Sequence, residues 1–185
     1  MTITSREQLI DFTQSGNKTK YLLFWGHQKL KEGLSSSCFS QWYESSFEVN
    51  GESYPTAEHY MMTAKARLFG DDNIAQKILA TKNPGQAKKL GRRVKNFNNE
   101  VWEHHRFKIV IDANSLKFGQ NSALRQFLLE SGERILVEAS PVDAIWGIGM
   151  AADNSGSQNP KLWKGLNLLG FALMQVRSQF MKTVD

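Results

Sequence analysis

Phe47-Glu48-Val49-Asn50-Gly51-Glu52-Ser53-Tyr54-Pro55-Thr56-Ala57-Glu58-His59-Tyr60-Met61-Met62-Thr63-Ala64-Lys65-Ala66-Arg67 decides the reading of the fold. Asn50-Gly51 sits between two alternating segments. Both residues tolerate positive φ, so the pair predicts a type I′ turn and a β-hairpin. Pro55 stops the second strand because it has no N–H to give to a ladder. Thr56 can then cap a helix by accepting a hydrogen bond from its first turn. In that helix Ala57, Tyr60, Met61, Ala64 and Leu68 recur at helical period, which directs one stripe toward a core.

On the N-terminal side, Ser5 before Arg6-Glu7-Gln8-Leu9-Ile10 predicts a short capped helix within the polar residues 1–19. Tyr21-Leu22-Leu23-Phe24-Trp25 is a short apolar run and reads as a buried strand, followed by a polar loop from Lys29 to Ser37. On the C-terminal side the chain reads as helices. One begins at Asp71-Asp72 and carries Ile74, Ile78 and Leu79. Asn83-Pro84 opens another, with proline in the favoured first helical position. Trp102, Ile109, Val110, Ala113 and Leu116 share a face of a third, and a fourth is capped by Ser122 and ended by Gly132. Ile135 to Pro141 is strand-like and runs into a Trp/Gly-rich loop, Asp143 to Met150. A polar insert follows, and then an amphipathic helix from Leu166 to Phe180. Few strands among many helices predict an α+β fold: a mostly helical single domain with a small antiparallel β-sheet under the helical layer.

The length of 185 residues suits one domain, enough to bury roughly two thirds of the surface of the unfolded chain. Hydrophobic residues at 41% and charged residues at 22% are ordinary for a globular protein, and five Trp with eleven Phe supply large core and pocket-lining groups. The single Cys38 excludes a disulfide framework within the chain. No basic region followed by an apolar run opens the chain, and no apolar segment reaches the roughly 20 residues of a membrane span, so the expectation is a cytoplasmic protein without a membrane partner. A net charge of +5 favours anionic partners. The densest basic run, Lys88-Lys89-Leu90-Gly91-Arg92-Arg93-Val94-Lys95, fits a solvated helix face better than a nucleic-acid footprint, because Leu90 and Val94 are helically spaced away from the charges.

Two constellations could carry chemistry. With Thr56 as N-cap, Glu58 and His59 fall in the first turn, where the helix dipole favours a carboxylate. Glu58, Met62, Lys65 and Phe69 share one face, with Glu58 and Lys65 about 10 Å apart along the axis. That spacing suits a substrate whose reacting centre and phosphate lie some atoms apart. It also fits an ordinary first-turn acid and a surface lysine. In the second constellation an apolar strand delivers Glu138, Asp143 and Trp146 onto a loop whose glycines, Gly147 among them, let the backbone approach a ligand. An indole beside a carboxylate suits a heteroaromatic ring, and equally suits a core tryptophan beside a turn-forming aspartate. No metal ligand set is expected: His104-His105 are adjacent and no His-x-x-x-His or Cys/His spacing occurs. A lone Gly147-x-Gly149 is not a dinucleotide fingerprint, and no cofactor is expected.

In order along the chain, Phe24-Trp25-Gly26-His27, Phe39-Ser40-Gln41-Trp42, Tyr54 to Met61, Ala64-Lys65, Ala87 to Arg92, Trp102, Arg106, Lys117-Phe118, Leu136-Val137-Glu138, Asp143 to Gly147 and Asn167 to Gly170 closely resemble the NADAR family, the YbiA-like N-glycosidases. The resemblance spans residues 21–178 and implies an N-glycosidase domain over 20–182 behind an N-terminal extension, 1–19. It implies hydrolysis of the N-glycosidic bond of early riboflavin intermediates or removal of ADP-ribose from guanine bases, with nucleic acid entering only as substrate. Glu58 would stabilise a ribosyl oxocarbenium ion, with Asp143 as the second catalytic acid. Trp146 and Gly147 would hold the base, and Lys65 with Arg106 the phosphate. His59 and Glu138 would support the site. The chain departs from the family's shorter bacterial form at Ile148, where that form has an aspartate, and in the longer insert Ala151 to Lys164. A non-enzymatic ADP-ribose-binding module and a nucleic-acid binder acting through Lys88, Lys89, Arg92 and Arg93 are the competing readings, separated from the enzyme by release of sugar phosphate and by salt dependence.

Overall fold

The computed structural model describes residues 3–182. In chain order it holds α1 (Arg6–Gln14), β1 (Tyr21–Phe24), β2 (Phe47–Val49), β3 (Glu52–Tyr54), α2 (Ala57–Leu68), α3 (Asp72–Leu79), α4 (Pro84–Gly91), α5 (Asn99–Gln120), α6 (Ser122–Glu130), β4 (Ile135–Glu138) and α7 (Leu168–Lys182), with short 3-10 turns at Ser36–Phe39 and Pro160–Leu162. This is the expected mostly helical α+β fold. The chain divides into two compact units, Gln41–Ser122 and the remainder on either side of it.

In the Gln41–Ser122 unit the hairpin forms where Asn50-Gly51 predicts it. Asn50 has φ 51° and Gly51 φ 81°, and Phe47 pairs antiparallel with Tyr54. The Tyr54 ring stacks on Phe47 at 5.7 Å and meets Tyr60 edge-on at 5.1 Å, so the hairpin packs on the first turn of α2. The side-chain amide of Gln120 continues the sheet: Nε2 donates to the Glu48 carbonyl (2.8 Å) and Oε1 accepts from the Glu48 N–H (2.9 Å). Thr56, Asp71, Asn83 and Asn98 cap α2 to α5, each side chain accepting from a first-turn N–H; each such cap is worth about 1 kcal/mol. Helix α4 approaches α2 closely because Gly91 has no side chain; a Cβ there would run into Met62.

In the other unit β1 and β4 pair in parallel, from Tyr21↔Ile135 to Phe24↔Glu138. This pairing is a second two-stranded sheet, parallel and separate from the expected antiparallel one, joining strands too distant in sequence for any local signal to pair them. The core gathers Phe24, Phe39, Leu128, Leu136, Val137, Ile148 and Phe171. Helix α7 lies against β4 through Gly170, where a Cβ would strike the Leu136 carbonyl.

Three local expectations change. Only Phe24 of β1 is buried and Trp25 is 61% exposed, so the strand is half-buried. Residues Leu169 to Met174 of α7 are all buried, so the amphipathic pattern holds only toward its C-terminal end. The basic run is not one helix face, because α4 ends at Gly91 and buried Val94 lies beyond it. The insert is built rather than loose: the Trp163 indole N–H donates to the Ser157 carbonyl (2.8 Å), and Arg6 of α1 reaches the carbonyls of Pro160 (2.8 Å) and Lys161 (3.1 Å).

Candidate active site

The start of α2 sets the first group of residues. Thr56 has extended backbone, and its hydroxyl accepts from the His59 N–H and lies 2.8 Å from His59 Nδ1. Burial pushes the His59 imidazole below its usual pKa, opposed in part by a backbone hydrogen bond with Thr81. At Nδ1 a neutral ring can accept the Thr56 hydroxyl proton. His59 is therefore a fully buried part of the cap. Its neighbour Glu58 is 2% exposed, and its N–H donates to the Gln41 carbonyl at 3.0 Å. Gln41 is itself buried and fixed through Oε1, which accepts from Asn114 Nδ2 of α5 (2.8 Å).

Two turns along α2, the Lys65 ammonium lies 4.2 Å from the centre of the Phe97 ring and 5.4 Å from that of Trp102. Phe97 is braced edge-on by Phe69 at 5.3 Å. Burial pulls the Lys65 pKa down, the positive charge of Arg92 adds to this, and the carboxylate of Glu58 opposes it. Lys65, Arg92 and Glu58 thus share one electrostatic environment, as the helical spacing predicts for the lysine and glutamate. Arg106, one turn after Trp102 on α5, is 11% exposed in its side chain and makes a long 3.5 Å ion pair with Glu103. The segment bearing Phe97 is tied down by Asp71, whose carboxylate accepts from the N–H groups of Ile74 (3.2 Å) and Lys95 (3.0 Å). The Lys95 bond is the main reason the Asp71 carboxyl titrates below its ordinary value.

The second group belongs to the unit with the parallel strands. Asn167, at φ 56°, lies along the outer edge of β4: Nδ2 donates to the Leu136 carbonyl and Oδ1 accepts from the Glu138 N–H, both at 2.9 Å. The loop after β4 folds back on it, with the Ile148 N–H on the Glu138 carbonyl at 2.9 Å. Asp143 Oδ1 accepts from the N–H groups of Ile145 (2.9 Å) and Trp146 (2.8 Å), so one carboxylate oxygen builds the turn. Gly147 is required by the fold, since a Cβ would sit 2.8 Å from the Glu138 carbonyl and 3.0 Å from that of Asp143. Trp146 is half-buried and stands outside the packed core.

The nominated residues therefore fall into two sets: Glu58, His59, Lys65 and Arg106 in one unit, and Glu138, Asp143, Trp146 and Gly147 in the other. The sequence reading gave no role in the glycosidase site to Arg92, Gln41, Asn114 or the fully buried Lys117, whose ammonium lies 5.0 Å from the Phe118 ring and 5.6 Å from that of Tyr43. The available signal was polar side chains in phase with the apolar stripe of α5, at 114 and 117 beside Val110 and Ala113. His104 and His105, adjacent on α5, meet edge-on at 5.1 Å. No group of three His, Cys, Asp or Glu side chains is placed for a metal ion among the described residues.

The NADAR domain model matches residues 23–181, a span that contains both sets. The chain belongs to the NADAR family. It is 45% identical over 165 residues to the N-glycosidase R617 of Acanthamoeba polyphaga mimivirus, covering 86% of this chain and 96% of that protein. It is 36% identical over 148 residues to the riboflavin biosynthesis protein PYRR, chloroplastic, of Zea mays, 74% of this chain but 22% of that one. The NMR structure of Escherichia coli YbiA superposes with a TM-score of 0.70 at 25% identity, covering 91% of this chain and 90% of that one. NADAR membership at this level places the chain among the N-glycosidases. In this NADAR chain Ile148 is fully buried, filling core where a carboxylate would need a partner.

Proposed function

We propose that the chain hydrolyses the N-glycosidic bond of riboflavin-pathway intermediates, 2,5-diamino-6-ribosylamino-4(3H)-pyrimidinone 5′-phosphate and 5-amino-6-ribosylaminouracil 5′-phosphate, to ribose 5-phosphate and the free pyrimidine. The observation that carries this reading is the Lys65 ammonium, held over Phe97 and Trp102 within the fields of Glu58 and Arg92. A carboxylate for the anomeric carbon and one cation for a phosphate then stand on one helix, α2, with Arg92 at the end of α4 adding a second positive charge near Lys65, a spacing suited to ribose 5-phosphate. The similarity to a protein named for riboflavin biosynthesis supports the substrate class.

In the mechanism the C1′–N bond breaks heterolytically, its electron pair leaving with the base nitrogen, which takes up a proton. Glu58, nearly withdrawn from water, stabilises the positive charge spreading over C1′ and the ring oxygen. Water adds to C1′ and gives its proton to Glu58 or to solvent. Lys65, Arg92 and Arg106 hold the 5′-phosphate, and a planar guanidinium suits its oxygens. The family resemblance assigns the base to Trp146 and Asp143, the indole for stacking and the carboxylate, whose Oδ1 is engaged in its own turn, for hydrogen bonding or proton donation. Glu138 and Gly147 shape the loop, and His59 fixes the turn that presents Glu58.

The test is incubation of the purified protein with 5-amino-6-ribosylaminouracil 5′-phosphate and, in parallel, with DNA bearing ADP-ribosylated guanine. Steady release of ribose 5-phosphate from the first is expected. Release of ADP-ribose from the second alone would replace this substrate assignment, and tight binding without release from either would make the protein a nucleotide-binding module.

A further inference from the structure

A cleft of about 620 Å³ lies within the unit that holds the parallel strands. Its walls combine four cations, Lys18, Lys20, Arg134 and Arg177, with apolar side chains that include Phe12 and Met174. None of the residues nominated for chemistry lines it.

Arg177 is the member that calls for a ligand. It is 6% exposed, yet among the described residues its guanidinium bonds only neutral oxygens: Nη1 donates to Ser131 Oγ (2.6 Å) and to the Arg134 carbonyl (3.0 Å). The Ser131 hydroxyl gives its own proton to the Leu128 carbonyl (2.6 Å), so it offers Arg177 a lone pair and no charge. Among the described residues no carboxylate lies within ion-pairing distance of Arg177. A buried cation is tolerated poorly without a counter-charge, and here burial and the like charge of Arg134 bring its pKa down to about 10 against the pull of Glu133. Arg134 is held in place by donating from Nε to the Ser131 carbonyl and from Nη2 to the Glu130 carbonyl, both at 2.8 Å. Lys20 is anchored through its carbonyl, which accepts from the Ile135 N–H at 2.8 Å.

Four cations face one acid, Glu133, in a cleft of the size that takes small organic ligands. The excess matches a dianion, and guanidinium with ammonium donors matches phosphate oxygens. Phe12 and Met174 offer the opposite chemistry, a surface for a planar or apolar body. We propose that this cleft is a second binding site, distinct from the catalytic residues, for a phosphate monoester with a planar body, of the class of nucleoside monophosphates.

The experiment is an amide NMR titration of the full chain carrying Glu58→Gln, with AMP, inorganic phosphate, adenosine and acetate as probes at matched ionic strength. AMP is expected to give saturable shifts at the amides of Lys18 to Lys20 and Gly132 to Ile135, and to bind more tightly than phosphate or adenosine. Affinity should fall with added salt. The double variant Lys18→Gln/Lys20→Gln, altered only at exposed positions, should weaken AMP binding about tenfold or more, since removing each charge-assisted hydrogen bond costs a large fraction of a decade in affinity. Its glycosidase turnover should stay at the level of the unaltered chain. Arg177→Met should remove the shifts where that variant remains folded. No saturable shift at these amides with millimolar AMP, AMP no tighter than phosphate, acetate equal to phosphate, or unchanged affinity in the double variant would each overturn the proposal. So would loss of turnover together with AMP binding, which would merge the cleft with the catalytic site.

Discussion

Glu58 and His59 are adjacent in the first turn of α2, and the proposed mechanism gives them opposite roles, one at the anomeric carbon and one in the cap. His59 is closed into the Thr56 cap and kept neutral by burial. The unfolded chain takes up a proton on this imidazole near pH 6.5 and the folded chain does so only at lower pH, so stability falls as pH drops below about 6.5, by at most about 1.4 kcal/mol per pH unit. Denaturant melts between pH 7.5 and 5 should show this slope, and His59→Gln should flatten it. Glu58→Gln keeps the volume and removes the charge; turnover should fall by about two to three decades while the melting temperature holds. Wild-type turnover in a folded Glu58→Gln variant would sink the assignment. Lys65 lies below the ordinary lysine pKa and is charged only below its own value. KM for a phosphorylated substrate should therefore rise with alkaline pH before an ordinary lysine titrates, and Lys65→Gln should raise KM and abolish that rise. These assignments were partly legible, since helical spacing places Glu58 and Lys65 on one face. Arg92 was not, because it reaches Lys65 only through the packing of α4 on α2.

That packing depends on glycine at two places, and the neighbours differ in how they can yield. A Cβ at Gly91 meets the flexible side chain of Met62, whereas a Cβ at Gly170 meets the Leu136 main chain. Gly91→Ala should cost about 1 kcal/mol and Gly170→Ala about 3 kcal/mol or more, read as urea midpoints. Asn167 serves the outer edge of β4 as a neighbouring strand would, satisfying one carbonyl and one N–H. Its positive φ would suit glycine, but Asn167→Gly leaves both groups without their partner and should destabilise by about 2–4 kcal/mol. If Asn167→Gly were as stable as the unaltered chain, backbone conformation alone would account for the asparagine. At this scale the sequence spoke clearly wherever the signal was local: the Asn50-Gly51 turn, the Pro55 stop, the caps at Ser5, Thr56, Asp71 and Asn83. It was silent on the parallel pairing of β1 with β4, which no turn or spacing encodes.

Over the whole molecule the acid response combines buried and exposed groups. Glu52 of β3 is held to about 2 chiefly by its hydrogen bond from Arg67 of α2, with the Tyr54 hydroxyl contributing at 2.6 Å. Its stabilisation is complete above pH 4.5 and is lost as pH falls toward 2. Both partners are substantially exposed, so the pair is worth about 1 kcal/mol or less. The stability profile should therefore decline in two steps, the His59 step below pH 6.5 and a shallower Glu52 step below 4.5, the second removed by Glu52→Gln. By itself the sequence determined the helical α+β class, the hairpin and its turn, the helix starts, the NADAR resemblance and the shared face of Glu58 and Lys65, because each rests on interactions within a few residues or on motif order. Tertiary structure alone decided the parallel strand pair, the burial of Ile148, Lys117 and Arg177, and the approach of Arg92 to Lys65. Those depend on which distant segments exclude water from one another, and that is a property of the packed chain rather than of any stretch of it.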